Sequence, residues 1–271
     1  MKVIEYKTVS KFTKIIKLMY DLGWAERNAG NVSHYLTEEE IKQFDDLKEG
    51  AIHDLDVVYK DLIGKHFLIT GTGKFFRNIE DNVEDNIGIV KILPSGNQYQ
   101  IVWGLNNSKP TSEISTHLYS HQARLSVDPK NRVIIHTHAT YINVMSRVIH
   151  PLDEKFVSRT LWGINTENIV IFPEGLGIIP WLVPGNSNIG VQTAEKFKKY
   201  RIVLWPLHGV VSSGESLDVA FGLIETVEKA AKVFILSNKF ENKRVISKHE
   251  LEELSDAFNI KPNKEFLDEE N

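Results

Sequence analysis

At 271 residues the chain can form one large domain or two small ones and can bury a sizeable core. Its 32 Lys+Arg against 36 Asp+Glu give a net charge of −4 with His neutral, a balance that argues against nucleic acid, whose binding needs a basic surface. No apolar run approaches the roughly 18 residues of a membrane span, the first seven residues carry no apolar secretory segment, and the absence of cysteine removes disulfides, thiol nucleophiles and Cys-held metals. The expectation is a soluble, cytoplasmic protein whose metals, if any, are held by His, Asp or Glu.

Phe12, Ile15, Ile16, Met19 and Tyr20 recur at helical spacing on one face, with Ser10 as N-cap and Gly23 as stop. Residues 24–33 read as a loop leading into a short strand, and 36–62 as a helix and an irregular surface connection. His66–Thr70 is a strand ending in Gly71-Thr72-Gly73. Residues 89–93 and 99–103 flank Pro94-Ser95-Gly96-Asn97 as a hairpin. Pro110-Thr111-Ser112 opens a helix carrying Ile114, Leu118 and Leu125. Residues 132–138 form a strand, with helices from about 142 and over 152–162, and 168–172 reads as a strand. A Gly- and Pro-punctuated loop spans 173–184. Asn186 or Ser187 caps a helix to about 199, Ile202–Trp205 is a strand, and 217–236 is a long helix. Ser247-Lys248-His249-Glu250 has the form of a capping box before another helix. The tail from Lys261 reads as loosely held. With no repeats or flexible linkers, residues 1–271 read as a single α/β domain.

Within Val133-Ile134-Ile135-His136-Thr137-His138, strand alternation sends His136 and His138 to one face. Two imidazoles so placed suit zinc or a similar divalent ion. A core or surface pair is the bland alternative. His208-Gly209, just after a strand, offers a third ligand. His117 and His121, at i and i+4 on one helix, compete for that role or serve in packing. An Asp-His soon after the pair, as metallo-β-lactamases require, is missing, and so is the following Glu of a cupin.

Three stretches could cradle an anion. Gly71-Thr72-Gly73-Lys74 lets backbone N–H groups converge beside a hydroxyl. Thr111-Ser112 lies at a helix start, where free N–H groups favour negative charge. Asn28 and Asn31 flank Gly30 with neutral donors. Each also reads as an ordinary turn, cap or loop. Glu113, in the first turn after Thr111-Ser112, either complements the helix dipole or serves as a general base. Glu167 is a weaker candidate acid.

In chain order, Gly23-Trp24-Ala25-Glu26-Arg27-Asn28-Ala29-Gly30-Asn31, Gly71-Thr72-Gly73-Lys74-Phe75-Phe76-Arg77-Asn78, Pro110-Thr111-Ser112-Glu113, His136-Thr137-His138-Ala139-Thr140, Phe172-Pro173-Glu174-Gly175 and Leu204-Trp205-Pro206-Leu207-His208-Gly209 resemble the class II aldolase/adducin family. The resemblance covers nearly the whole chain. It implies a single domain with a central, mainly antiparallel sheet covered by helices, assembled as a homotetramer. It makes His136, His138 and His208 the ligands of one zinc ion and Glu113 the acid/base. Asn28, Asn31, Thr72, Thr111 and Ser112 become phosphate-site residues, and Glu167 matches an acid supplied across a subunit interface. The implied reaction is a reversible aldol cleavage of a sugar phosphate, with the Gly-Thr-Gly-Lys-Phe-Phe-Arg-Asn and Pro-Trp-Leu-Val-Pro-Gly segments pointing to L-rhamnulose 1-phosphate. Another sugar-phosphate aldolase, a 4-epimerase, or a non-catalytic adducin-like interaction domain are the alternatives. Departures are mild: Thr72 stands where Ser is familiar, Ala29 where Gly is, and Thr137 where Cys occurs.

Overall fold

Val133, Ile134 and Ile135 form a continuous apolar run, as suits a strand with both faces covered, and all three are fully buried. The computed structural model describes residues 1–106, 108–185 and 187–267. In chain order its elements are α1 (Lys7–Asp21), β1 (Asn31–Leu36), α2 (Glu38–Ile41), β2 (Ile52–Asp54), β3 (His66–Thr70), α3 (Val83–Asn86), β4 (Ile87–Ile92), β5 (Gln98–Gly104), α4 (Ile114–Val127), β6 (Val133–Thr137), α5 (Thr140–Val148), α6 (Glu154–Trp162), α7 (Thr166–Ile171), β7 (Gly177–Ile178), α8 (Ser187–Phe197), β8 (Ile202–Trp205), β9 (Gly209–Gly214), α9 (Leu217–Ser237), α10 (Lys248–Ala257) and α11 (Lys264–Leu267).

The strands form one nine-stranded sheet in the order β2-β5-β4-β3-β1-β6-β9-β8-β7. Every pairing is antiparallel except β7 with β8. This is the α/β, mainly antiparallel sheet that the sequence led us to expect. Side-chain alternation divides its core. Val133 and Ile135 pack with Phe12, Ile16 and Met19 of α1 and Phe221 and Ile224 of α9. Ile134 turns to the opposite face, with Ala123 of α4 and Phe197 of α8. Among the described residues no helix is long and apolar enough to cross a membrane.

The register brings one set of strand ends together. Asn31 pairs with His136 across β1–β6, and Thr137 pairs with Val210 across β6–β9. The starts of β1 and β9 therefore meet the ends of β3, β6 and β8 along one edge of the sheet.

Several local expectations are corrected. Helix α1 begins at Lys7 with Tyr6 as N-cap, so Ser10 lies inside it. Residues 168–172 belong mostly to helix α7, with Asn168 and Ile169 on its buried side. Their apolar run is too short for periodicity to separate strand from helix. The 173–184 loop contains the two-residue strand β7. Ser187 is the first residue of α8, and Asn186 lies outside the described residues. The tail is anchored as far as α11: Phe266 is buried against Trp162 and Tyr200. The capping box of Ser247 and Glu250 is formed as expected.

Candidate active site and metal centre

His136 is the last residue but one of β6, His138 is the first residue beyond it, and His208 lies in the tight connection between β8 and β9. That connection depends on Gly209. A Cβ there would lie 2.4 Å from the carbonyl oxygen of Thr137, so only glycine lets the hairpin close on β6. Leu207 has φ of 62°, a left-handed conformation costly for leucine. Helix α5 holds the turn: Leu207 N–H donates to Ser146 Oγ at 3.1 Å, and Asn143 Nδ2 donates to the His208 carbonyl at 3.2 Å.

One ligand atom from each of His136, His138 and His208 falls within 4.8 Å of the others. The hydrogen bonds behind the rings fit a metal. His136 Nδ1 lies 3.1 Å from the Val210 carbonyl oxygen, so Nδ1 carries the hydrogen and Nε2 is bare. His138 Nδ1 lies 2.8 Å from Glu26 Oε1, which leaves its Nε2 bare as well. The buried His208 Nδ1 has no hydrogen-bond partner among the described residues. Burial, then the neighbouring His138, depresses His208 to a pKa of about 4. Burial, reinforced by His138 and His208, holds His136 well below the ordinary imidazole value. Neutral imidazole is the ligating form, so the donor set suits a divalent ion with an N-rich preference.

Glu113 immediately precedes α4 and is buried. Burial pushes its carboxyl above the ordinary carboxylate value, against the opposing effects of the Asn31 hydrogen bond and of His138. Asn31 Nδ2 donates to Glu113 Oε2 at 2.7 Å, and the same oxygen lies 3.8 Å from His136 Nε2.

The end of β3 is stitched to the segment before α4. Thr111 N–H donates to the Thr70 carbonyl at 2.8 Å and Thr72 N–H to the Lys109 carbonyl at 2.9 Å. The Thr72, Thr111 and Ser112 hydroxyls are thereby brought to one place. Gly30, with φ of +82°, comes so close to the His136 carbonyl and the Phe76 ring that a Cβ would stand 3.2 Å from each. Asn28, Asn31, Thr72, Thr111 and Ser112 line a single cavity with Glu113, His136, His138 and His208. Asn31 spends its carbonyl on His117 and one N–H on Glu113, leaving one N–H for a ligand.

Glu167 is not brought there. It is exposed, in the first turn of α7, and lines separate clefts with Asn165. His117 and His121 are engaged with Ser33 and Asn31 rather than with the triad. Glu26 and Asn143, which brace His138 and His208, were not singled out from sequence. Their partners lie 112 and 65 positions away, beyond any local spacing signal.

Residues 10–235 match the family described as Class II Aldolase and Adducin N-terminal domain. The chain is 44% identical over 273 residues to rhamnulose-1-phosphate aldolase of Enterococcus faecalis, covering 99% of this chain and 97% of that protein. It is 43% identical over 263 residues to the Listeria monocytogenes protein of the same name, covering 96% of each. Among solved structures, a sugar-phosphate aldolase from Thermotoga maritima superposes with a TM-score of 0.77 at 28% identity, covering 88% of this chain and 97% of that one. The sheet, the clustered histidines, the buried glutamate and these likenesses agree: the chain belongs to the class II aldolase and adducin family.

Proposed function

We propose that the chain catalyses reversible cleavage of L-rhamnulose 1-phosphate to dihydroxyacetone phosphate and L-lactaldehyde, as one domain over residues 1–271 in a cytoplasmic homotetramer. The observation that carries the reading is the Glu113 carboxylate, buried and 3.8 Å from His136 Nε2, in the same cavity as three hydroxyls suited to a phosphate. The names of the curated relatives supply the substrate.

His136, His138 and His208 would hold a zinc ion, which would supply Lewis-acid stabilisation of the negative charge that develops beside the ketone. Thr72, Thr111, Ser112 and Asn28, with the remaining Asn31 N–H, donate to the phosphate and fix the three-carbon half of the substrate. In the condensation direction Glu113 takes a proton from the carbon next to the ketone. In cleavage it returns a proton to that carbon. Its carboxyl must therefore bind and release a proton near neutral pH, and burial raises it toward that range. Glu167, exposed and remote from its own chain's cavity, serves as acid at the aldehyde oxygen in a neighbouring subunit's site.

The test is a coupled assay for dihydroxyacetone phosphate. Zinc-loaded protein should release it from L-rhamnulose 1-phosphate faster than from L-fuculose 1-phosphate. No release from either ester removes the aldolase reading, and a preference for the fuculose ester removes the substrate. Sedimentation should give a tetramer, and Glu167→Ala should lower turnover without loss of zinc.

A further inference from the structure

Behind Glu113 a line of polar side chains runs away from the cavity between β1 and α4. Asn31 and Ser33 share one face of β1, and His117 and His121 lie one turn apart on α4. Four contacts join them. His121 Nε2 is 2.7 Å from Ser33 Oγ, and Ser33 Oγ is 2.6 Å from His117 Nδ1. His117 Nε2 is 2.5 Å from Asn31 Oδ1, and Asn31 Nδ2 is 2.7 Å from Glu113 Oε2. Ser33, His117 and His121 are at most 1% exposed.

Donor and acceptor counting gives this line one direction. An ionised carboxylate only accepts, so Asn31 turns its N–H to Glu113 and its carbonyl to His117. That carbonyl also only accepts, so the hydrogen of His117 sits on Nε2. Burial keeps His117 neutral, with a pKa of about 3, so its Nδ1 is bare and accepts the Ser33 hydroxyl hydrogen. Ser33 Oγ then accepts from His121 Nε2–H. His121 Nδ1 is bare and buried with no hydrogen-bond partner among the described residues, which ends the line. A turned Asn31 would set its carbonyl oxygen against a carboxylate oxygen and its N–H against His117 Nε2–H.

We propose that His117, fixed in tautomer by Ser33, is a positioning residue for Glu113: it locks the Asn31 amide so that the Glu113 carboxylate is held in one orientation beside the metal ligands. This role rests on the reading of Glu113 as the base. It explains why two imidazoles at metal-binding spacing are kept away from the triad and inside the core.

The test combines a spectroscopic and a kinetic readout. Long-range proton–nitrogen NMR of the full-length protein should show His117 protonated on Nε2 with a bare Nδ1. A hydrogen on Nδ1 overturns the proposal whatever the activity. Kinetically, zinc-loaded protein is given dihydroxyacetone phosphate in heavy water and loss of the carbon-bound proton is followed. His117→Phe keeps the ring volume without an N–H and should slow exchange at saturating ligand by about 10²-fold, the scale of a small misplacement at a reacting centre. Zinc content should stay within about twofold of wild type, and dihydroxyacetone phosphate affinity, which shares the Asn31 amide, should fall far less than the exchange rate. His117→Gln, which returns an amide N–H near the Nε2 position, should recover most of the rate. Ser33→Ala, a smaller change should the Phe variant not fold, should slow exchange in the same way. Wild-type exchange in Ser33→Ala and His117→Phe overturns the proposal, as does equal impairment of the Phe and Gln variants or a rate loss that tracks zinc loss. Glu113→Gln is run alongside. If it exchanges like wild type, the base reading falls and this role with it. If it is inactive while His117→Phe is normal, only the positioning role is lost.

Discussion

Glu26 and His138, 112 positions apart in the chain, meet with Glu26 Oε1 2.8 Å from His138 Nδ1. Burial opposes ionisation of Glu26, but the hydrogen bond with His138 and its own backbone N–H bring its carboxyl below the ordinary value. A carboxylate behind a ligating imidazole fixes the tautomer and makes the other nitrogen a stronger donor. Glu26→Ala should weaken zinc binding by about 10–100-fold. The Glu26 side chain is 68% exposed, so the fold should be unaffected. Competition with a chromogenic chelator reads the change, and an unaltered affinity would show that the contact does not tune the metal.

Glu113→Gln keeps the size of the side chain and an oxygen for the Asn31 N–H, but amide cannot accept a proton at neutral pH. The variant should retain zinc and dihydroxyacetone phosphate while solvent exchange at the ligand's carbon falls by at least about 10²-fold. NMR in heavy water without aldehyde isolates this step. Exchange at the wild-type rate would leave Glu113 as a helix-start residue only.

Ser112→Ala should weaken dihydroxyacetone phosphate far more than unphosphorylated dihydroxyacetone. A lost hydrogen bond to a charged group costs on the order of 1.5–3 kcal/mol. Calorimetric titration of both ligands reads the difference, and equal losses would refute the phosphate role.

His34 is buried, and neither of its ring nitrogens has a hydrogen-bond partner among the described residues. Burial, with Arg132 adding to it, depresses the folded pKa to about 4. Unfolded, the ring takes up a proton near its ordinary value of about 6.5. Between these values the unfolded chain binds more protons, so stability falls as pH drops and rises as pH rises. At about 1.4 kcal/mol per pH unit, the loss by pH 5 is on the order of 2 kcal/mol from this residue. Urea unfolding of chelator-treated protein at pH 7 and pH 5 should show that loss reduced in His34→Leu. An identical pH response in the variant removes His34 as its source.

Apolar patterning made much of this fold legible. His66–Thr70 and Ile202–Trp205 are strands with the bounds expected, because each is a compact apolar run beside turn residues. Strand β9 was invisible, since Gly209, Ser212, Ser213 and Gly214 resemble a loop until β6 and β8 pair with them on both sides. Residues 168–172 show the converse: the short apolar run reads as a strand, but Asn165 caps a helix from Thr166 and Ile169 packs into the core. At the site, Asn28, Asn31, Thr72, Thr111, Ser112, Glu113 and the three histidines line one cavity, and Glu167, which the resemblance assigns to a neighbouring subunit, lies outside it. Strand alternation paired His136 with His138, whereas Glu26, Ser33 and Asn143 act through partners distant in sequence.

Asn31, which holds the Glu113 carboxylate, and His136, one of the three clustered histidines, are opposite rungs of the β1–β6 ladder. The separation between the Glu113 anchor and the histidine cluster is consequently a property of strand pairing and not of side-chain reach. A slip of one residue in that pairing would carry Asn31 and Ser33 to the other face of the sheet together. Such a misregistered chain could keep most of its helices and even its three histidines, yet Glu113 would lose its anchor. With Glu113 as the proposed base, catalytic competence reports on that single backbone alignment.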